Sequence, residues 1–150
     1  MSQALAQTAF NLHTQLQKDC IELAELPLCK LLLCNDSNYP WFILVPRVID
    51  VTDIYQLDWE SQQQLLNESS LICELLMSVF KGDKMNVAAL GNVVEQLHVH
   101  HVVRFKDDAC WPKPIWGQVA LKPYTEKGLA EIKSKILPLI DNFKMGSESN

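Results

Sequence analysis

Histidines 98, 100 and 101 are the residues of this chain best suited to chemistry, since three of its four histidines fall within four consecutive positions. They lie in a valine-rich run, 96–104, and β-branched residues favour an extended strand. Side chains alternate between the two faces of a strand, so Gln96, His98 and His100 share one face and His101 lies on the other. Next-but-one residues are about 6.5–7 Å apart along a strand, so the imidazoles of His98 and His100 can both reach one small anion.

Three interpretations of this histidine strand compete. The imidazoles could merely hydrogen-bond within a sheet, but the glutamine and the arginine beside them argue against this interpretation. They could bind a metal with Asp107, Asp108 or Cys110 as third ligand, because catalytic zinc usually takes three protein ligands. Alternatively, one neutral imidazole attacks phosphorus while the other groups bind phosphate oxygens, which requires a hydrogen bond on its second ring nitrogen to set the tautomer. The spacing alone does not decide between the last two.

The composition favours one ordinary globular domain. The chain has 150 residues, 48% of them hydrophobic and 21% charged, and a formal net charge of −5, which argues against general nucleic-acid binding. No apolar run approaches the roughly 20 residues that span a bilayer, and residues 1–17 do not resemble a signal peptide. Five cysteines, an odd number without a C-x-x-C pair, favour free thiols in a reducing cytoplasm.

The order of the elements indicates an α+β fold. We expect a single domain over residues 1–144 and a disordered tail over 145–150. A polar turn between two apolar runs predicts an antiparallel hairpin, Asp58 is a candidate N-cap, and Pro138 is expected to kink or shorten the last helix. The predicted elements are helices over about 4–20, 58–80 and 125–143, strands over 28–34, 41–45, 84–90 and 96–104, and a loop over 107–117.

Residues Gly91 through Arg104 resemble the histidine-triad (HIT) superfamily of nucleotidyl hydrolases and transferases, whose signature is His-φ-His-φ-His-φ-φ. Gln96 takes the first histidine position, His98 the middle one and His100 the last, and Gly91 and Arg104 also fall where many members have them. The resemblance implies that His98 is the nucleophile and becomes nucleotidylated by attacking the α-phosphorus of a nucleotide. It implies that His100 and Gln96 contact phosphate oxygens or orient the attacking ring.

The resemblance extends over roughly residues 8–117. Cys34-Asn35-Asp36 followed by residues 42–46 is similar to the family's strands that cradle base and ribose, so Asn35 or Asp36 is expected to bind ribose hydroxyls. Asn92 stands where members place a phosphate-binding residue, and Arg104 is expected to contact the substrate. The loop 107–112 with Trp116-Gly117 is similar to a bacterial branch that also carries Gln-Leu-His-Val-His. His101 departs from the family pattern, and alternation directs it away from the site.

The resemblance implies a HIT-like antiparallel sheet of about five strands with packed helices, and a nucleotide as ligand. The expected activity is hydrolysis of, or transfer from, a phosphoanhydride or phosphoramidate such as a dinucleoside polyphosphate, with adenine favoured. A nucleotide-binding regulatory protein with little turnover is the alternative, suggested by the glutamine at position 96. We expect no tightly bound cofactor, although Mg²⁺ could accompany a polyphosphate, and a cytoplasmic homodimer without nucleic-acid or membrane partners.

Overall fold

A five-stranded antiparallel sheet forms the centre of the protein, with strand order β1-β2-β3-β5-β4. The computed structural model describes the backbone of residues 9–148 and the side chains of residues 9–142. The elements are α1 (Thr14–Asp19), β1 (Cys20–Glu25), β2 (Cys29–Cys34), β3 (Trp41–Pro46), a 3-10 turn (Ile54–Gln56), α2 (Trp59–Phe80), β4 (Lys84–Ala88), β5 (Val99–Arg104) and α3 (Glu126–Glu148). The predicted α+β fold, with an antiparallel sheet of five strands and packed helices, is thereby confirmed.

The predicted hairpin and the long helix both form as their local sequence dictates. β2 and β3 pair antiparallel, with Leu32 opposite Ile43. The Asp58 side chain accepts the Ser61 N–H at the start of α2, and the helix ends where Lys81 adopts a left-handed backbone with φ of 54°, as helix ends commonly do. Gly82 follows, and a Cβ there would collide with the Val103 side chain.

Strand β1 is the element that the sequence analysis missed. The helix predicted over 4–20 is limited to α1 among residues 9–20, while residues 4–8 lie outside the described part of the chain. The chain turns extended at Cys20 because the alternation Ile21-Glu22-Leu23 fits a half-buried edge strand better than a helix face. α1 and β1 therefore follow one another without a loop, and both border the face that carries the histidines.

The two faces of the sheet bury separate apolar layers. One layer, with Leu31, Phe42 and Val103, packs under α2 and α3. The other, with Trp41, Val102 and Ile115, lies beneath α1 and the loop that follows β5. This second layer is incomplete, and the gap left in it is the cavity described below.

Helix α3 passes through Pro138 and continues to Glu148, beyond the predicted end at Phe143. Of the predicted tail 145–150, residues 149–150 lie outside the described residues. Within residues 9–148, no helix has the length and apolar character that crossing a bilayer requires.

Candidate functional site

A cavity of about 600 Å³ opens on the sheet face opposite α2 and α3, a volume typical of small-molecule sites. The side chains of His98 and His100 form part of its floor, as strand alternation predicts. Helix α1 and the segments 90–94 and 116–123 contribute its walls. The cavity is thus bordered by segments that are far apart in the sequence.

The imidazole of His98 is held in one tautomer by the main chain just before β5, a strand that begins at Val99 and not at the predicted residue 96. Its Nδ1 lies 2.6 Å from the main-chain carbonyl oxygen of Gln96. A carbonyl oxygen can only accept a hydrogen bond, so Nδ1 of the neutral ring carries the proton. Nε2 of His98 is therefore left with a free lone pair, which is the state that a nucleophilic imidazole requires.

The imidazole of His100 is held in the opposite tautomer. The indole Nε1–H of Trp41 donates to Nδ1 of His100 over 3.0 Å. An indole nitrogen can only donate, so Nδ1 of His100 is unprotonated and the neutral ring carries its proton on Nε2. Burial, reinforced by His98 and His101, lowers the pKa of His100 to about 3. His100 therefore stays neutral at physiological pH and offers an N–H donor.

The two rings form a pair with complementary hydrogen-bonding character. Their centroids are 4.8 Å apart in an edge-on arrangement. The rings of His100 and Trp116 also meet edge-on, with centroids 5.1 Å apart. One ring brings an unshared electron pair to the cavity and the other brings a polar hydrogen. Such a pair can attack an electrophilic centre and stabilise the negative charge that develops beside it.

The structure corrects the expected role of the Gln96 side chain. Its Oε1 accepts the His13 N–H over 2.9 Å, and its Nε2 donates to the Asn11 carbonyl oxygen over 2.9 Å. Both ends of the amide are thus engaged by the segment that precedes α1, and the side chain borders a separate surface depression with His13 and Asp50. It is the main-chain carbonyl of Gln96, and not its amide, that orients the His98 ring.

Arg104, predicted to contact substrate, is instead buried beneath the loop after β5, with 1% of its surface exposed. Its Nε and Nη2 donate to the two carboxylate oxygens of Asp108 over 2.8 and 3.1 Å, and its Nη1 donates to Asn86. Burial alone would raise the pKa of Asp108, but hydrogen bonds from Arg104, Phe105 and Cys110 lower it to about 2. Arg104 therefore holds the loop in place and is removed from the substrate-binding set.

The two candidate ribose-binding residues lie in different surroundings. Asn35 lines the cavity, and its Oδ1 accepts the Tyr124 N–H. Asp36 is buried, and its Oδ1 accepts the N–H groups of Asn38 and Lys122. Asp36 thus ties the hairpin turn to the segment before α3, which leaves Asn35 as the one of the two that borders the ligand space.

Asn92, the predicted phosphate-binding residue, lines the same cavity as the histidines and is exposed. His101 lies on the opposite face, as predicted, and is fully buried. Its Nδ1 bonds to the Val99 carbonyl, so its Nε2 accepts from the Ser69 hydroxyl at 2.7 Å. His101 therefore helps to attach β5 to α2.

Two of the three candidate third metal ligands, Asp108 and Cys110, are engaged elsewhere. Asp108 is paired with Arg104, and the Cys110 thiol lies 3.2 Å from the Tyr39 hydroxyl. Among the described residues, no cluster of three or more His, Cys, Asp or Glu side chains is arranged to hold a metal ion.

Sequence reasoning missed two contributors to this site. Residue Trp41 entered the sequence analysis only as the first residue of a predicted strand, yet its N–H sets the tautomer of His100. Helix α1 supplies Gln15, Leu16, Lys18 and Asp19 to the cavity wall, although its sequence indicates only a helix lying on the domain. The pairing of β3 with β5 brings Trp41 to the histidines, and that pairing has no signal in the local sequence.

Fold and site together define an α+β domain whose sheet carries a pair of histidines in a ligand-sized cavity. The HIT domain model matches residues 15–107, and the chain belongs to this family. Membership supports a nucleotide-binding hydrolase or transferase activity in general. No curated protein shows significant sequence similarity to the chain.

Solved structures agree with this assignment. A histidine triad protein from Marinobacter aquaeolei is 52% identical, with a TM-score of 0.87, covering 89% of this chain and 97% of its own. One from Bradyrhizobium japonicum is 42% identical, with a TM-score of 0.83, over 84% of this chain and 94% of its own. One from Sinorhizobium meliloti is 36% identical, with a TM-score of 0.86, over 88% and 98%.

Proposed function

We propose that the protein cleaves a nucleotide phosphoanhydride or phosphoramidate through a covalent nucleotidyl-His98 intermediate. The observation that carries the proposal is the pair of opposite tautomers in one cavity. The Gln96 carbonyl leaves Nε2 of His98 with a lone pair, and the Trp41 indole leaves Nε2 of His100 with a proton. A dinucleoside polyphosphate and a nucleoside phosphoramidate are the two substrate types favoured.

The chemical step follows from these groups. The lone pair on Nε2 of His98 forms a bond to the α-phosphorus, and the electrons of the breaking P–O or P–N bond leave with the departing group. The ring gains positive charge, which the hydrogen bond from Nδ1 to the Gln96 carbonyl stabilises. Water then attacks the same phosphorus, the P–Nε2 bond breaks with its electrons returning to the His98 ring, and the proton of the water is released to solvent. One difficult displacement is thus divided into two easier ones.

The surroundings of the pair suit an anionic substrate. The Nε2–H of His100 and the amide of Asn92 can donate to phosphate oxygens as charge gathers on them. Lys18 on α1 and Asn35 border the same cavity, where the ammonium group can attract a phosphate chain and the amide can bond a ribose hydroxyl. Apolar walls that include Leu16 and Ile43 provide contact area for a base.

Further features stay predictions that rest on the family resemblance. We expect adenine as the preferred base, Mg²⁺ as a companion of a polyphosphate substrate, and a homodimer in the cytoplasm. Each has a direct measurement: competition between nucleotides, the effect of a chelator on turnover, and sedimentation together with fractionation of the source cells.

The decisive experiment measures the intact mass of the protein during turnover of diadenosine polyphosphate or adenosine phosphoramidate. We expect a transient adenylyl adduct that is absent from His98→Ala, and a loss of turnover of about 10³-fold or more in that variant. His101→Gln is the matched control, because this neighbouring histidine lies on the opposite face of β5. It should retain the adduct and the turnover at temperatures where it is folded.

Two results would contradict the proposal. Turnover that is unchanged in His98→Ala would remove His98 from the nucleophile's role. Tight nucleotide binding without adduct or product from any nucleotide tried would instead identify a regulatory nucleotide-binding protein.

A further inference from the structure

We propose that Cys20 and Cys34 form a redox-active dithiol in the cavity wall, which a low-molecular-weight disulfide such as glutathione disulfide oxidises to a cross-strand disulfide. The site lies outside the histidine pair and has no part in the chemical step described above. Its effect on ligand binding rests on the proposed function, whereas the formation of the disulfide does not.

The register of the sheet places the two cysteines directly opposite one another. Cys20 of β1 is paired with Cys34 of β2. The neighbouring residues Asp19 and Asn35 are joined by a main-chain hydrogen bond of 3.0 Å, from Asn35 N–H to the Asp19 carbonyl. Hydrogen-bonded and non-hydrogen-bonded pairs alternate along antiparallel strands, so Cys20 and Cys34 form a non-hydrogen-bonded pair.

That pair type is compatible with a disulfide. Its Cα atoms are typically about 4.5 Å apart, within the range of roughly 4.4–6.8 Å found for disulfides. The Cβ atoms of directly opposed residues are about 4.5–5.5 Å apart, while a disulfide brings them to roughly 3.5–4.5 Å. Oxidation therefore requires the two strands to approach by less than about 1 Å at this point.

The two thiols also interact with one another and reach the cavity. A hydrogen bond with Cys20, together with burial, raises the pKa of the Cys34 thiol above its usual range. Both residues line the histidine cavity, with Cys20 partly exposed and Cys34 buried. The accessible thiol is thus Cys20, and Cys34 is the partner that can resolve a mixed disulfide formed on it.

Glutathione disulfide is the oxidant, and the exchange with the protein dithiol takes two steps. The thiolate of Cys20 attacks one sulfur of glutathione disulfide, the S–S bond breaks, and one glutathione thiolate leaves. The Cys34 thiol then loses its proton as its sulfur attacks Sγ of Cys20, and the second glutathione leaves as a thiolate that takes up a proton. One dithiol and one glutathione disulfide become one protein disulfide and two glutathione thiols, so the protein is oxidised and the reagent is reduced.

The position of the pair links its oxidation to the ligand. Cys20 directly follows α1, whose Leu16 and Asp19 form cavity wall, and Cys34 directly precedes Asn35. Drawing the strands together shifts both walls relative to the histidines. Displacements of about 1 Å can lower the rate of a catalysed reaction by about 10²-fold, because bound groups lose their alignment. We expect oxidation to weaken nucleotide binding by about 10-fold.

The test exposes the full chain to glutathione disulfide and maps its peptides. We expect one Cys20–Cys34 disulfide, with the loss of two hydrogens and no retained glutathione. Cys34→Ser should instead retain glutathione on Cys20, and Cys20→Ser should leave Cys34 unmodified. Cys73→Ser is the matched control, because Cys73 is a partly exposed thiol on α2, across the sheet from this cavity, and it should form the disulfide normally.

Calorimetric titration with adenosine monophosphate then compares the reduced, oxidised and re-reduced protein. A weaker affinity that dithiothreitol restores supports the link between the dithiol and the cavity. A disulfide that does not form, or modification confined to Cys73 or Cys110, would overturn the proposal. Reduced protein that binds no nucleotide while the disulfide still forms would contradict the proposed function and leave the dithiol site established.

Discussion

The indole N–H of Trp41 donates its hydrogen bond to Nδ1 of His100 across the junction of β3 and β5. Ile43 lies opposite His100 in this register, and Trp41 is two residues away on the same face, so its large side chain reaches the imidazole diagonally. An aromatic residue of the second layer of the core therefore decides which nitrogen of His100 carries the proton.

Trp41→Phe should lower kcat by about 10-fold or more, because Nδ1 of His100 loses its donor and the ring can exchange tautomers. Heteronuclear NMR of the imidazole nitrogens should show a mixture of the two protonation sites in the variant. Trp59→Phe is the control, since this indole is 72% exposed at the start of α2. A kcat that is unchanged in Trp41→Phe would show that the tautomer of His100 has no part in the rate.

Gln96→Ala should raise KM more than it lowers kcat. The substitution removes the two side-chain hydrogen bonds to residues 11 and 13 and so loosens the entry to α1, but it retains the carbonyl that orients His98. We expect KM to rise by about 5–10-fold, which corresponds to the net free energy of one or two hydrogen bonds. The control is Gln62→Ala, which removes a side-chain hydrogen bond to the Leu57 carbonyl oxygen, outside this site. A large fall in kcat with an unchanged KM would restore Gln96 to the chemical step.

Stability should decrease between about pH 6.5 and pH 4 because of His100 and His101. Burial lowers the pKa values of these residues to about 3 and about 4, so the unfolded chain binds protons in this interval that the folded chain does not. Each histidine contributes a slope of up to about 1.4 kcal/mol per pH unit. Urea denaturation at several pH values in this interval measures how the free energy of unfolding changes with pH.

The variant His101→Gln separates the two contributions. It should remove about half of this slope while lowering the overall stability, because the bond to Ser69 is altered. A slope that is the same in the variant and the native chain would show that His101 does not remain neutral in the folded protein.

Asp108→Asn should destabilise the protein by about 3–5 kcal/mol, because it leaves the buried guanidinium of Arg104 without its counter-charge. The Asp108 side chain is 3% exposed, and its carboxylate also accepts the N–H groups of Phe105, Cys110 and Trp111. Its pKa of about 2 means that this stabilisation is complete above about pH 4 and is lost as the pH falls towards 2.

Urea denaturation of Asp108→Asn and of the control Asp107→Asn tests this assignment. Asp107 is exposed, and its substitution should change the free energy of unfolding by no more than about 0.5 kcal/mol. Equal effects of the two substitutions would contradict the assignment of Arg104 and Asp108 to holding the loop.

Features of the fold that depend on neighbouring residues are predictable from the sequence. Strand alternation predicts that His98 and His100 share a face and that His101 lies on the other, and the structure confirms it. The polar turn predicts the β2–β3 hairpin, and Asp58 predicts the start of α2. These predictions succeed because backbone periodicity and capping act within a few residues.

The partners of the polar side chains, in contrast, depend on contacts between residues that are far apart in the sequence. Gln96 bonds to main-chain atoms 83 and 85 positions earlier, and Trp41 bonds to His100 across a separation of 59 residues. Arg104 matches the family pattern in sequence, yet burial beneath the loop removes it from the cavity. A buried polar group must find a partner or lose stability. Which partner it finds is set by strand order, and the order β1-β2-β3-β5-β4 is a property of the folded chain.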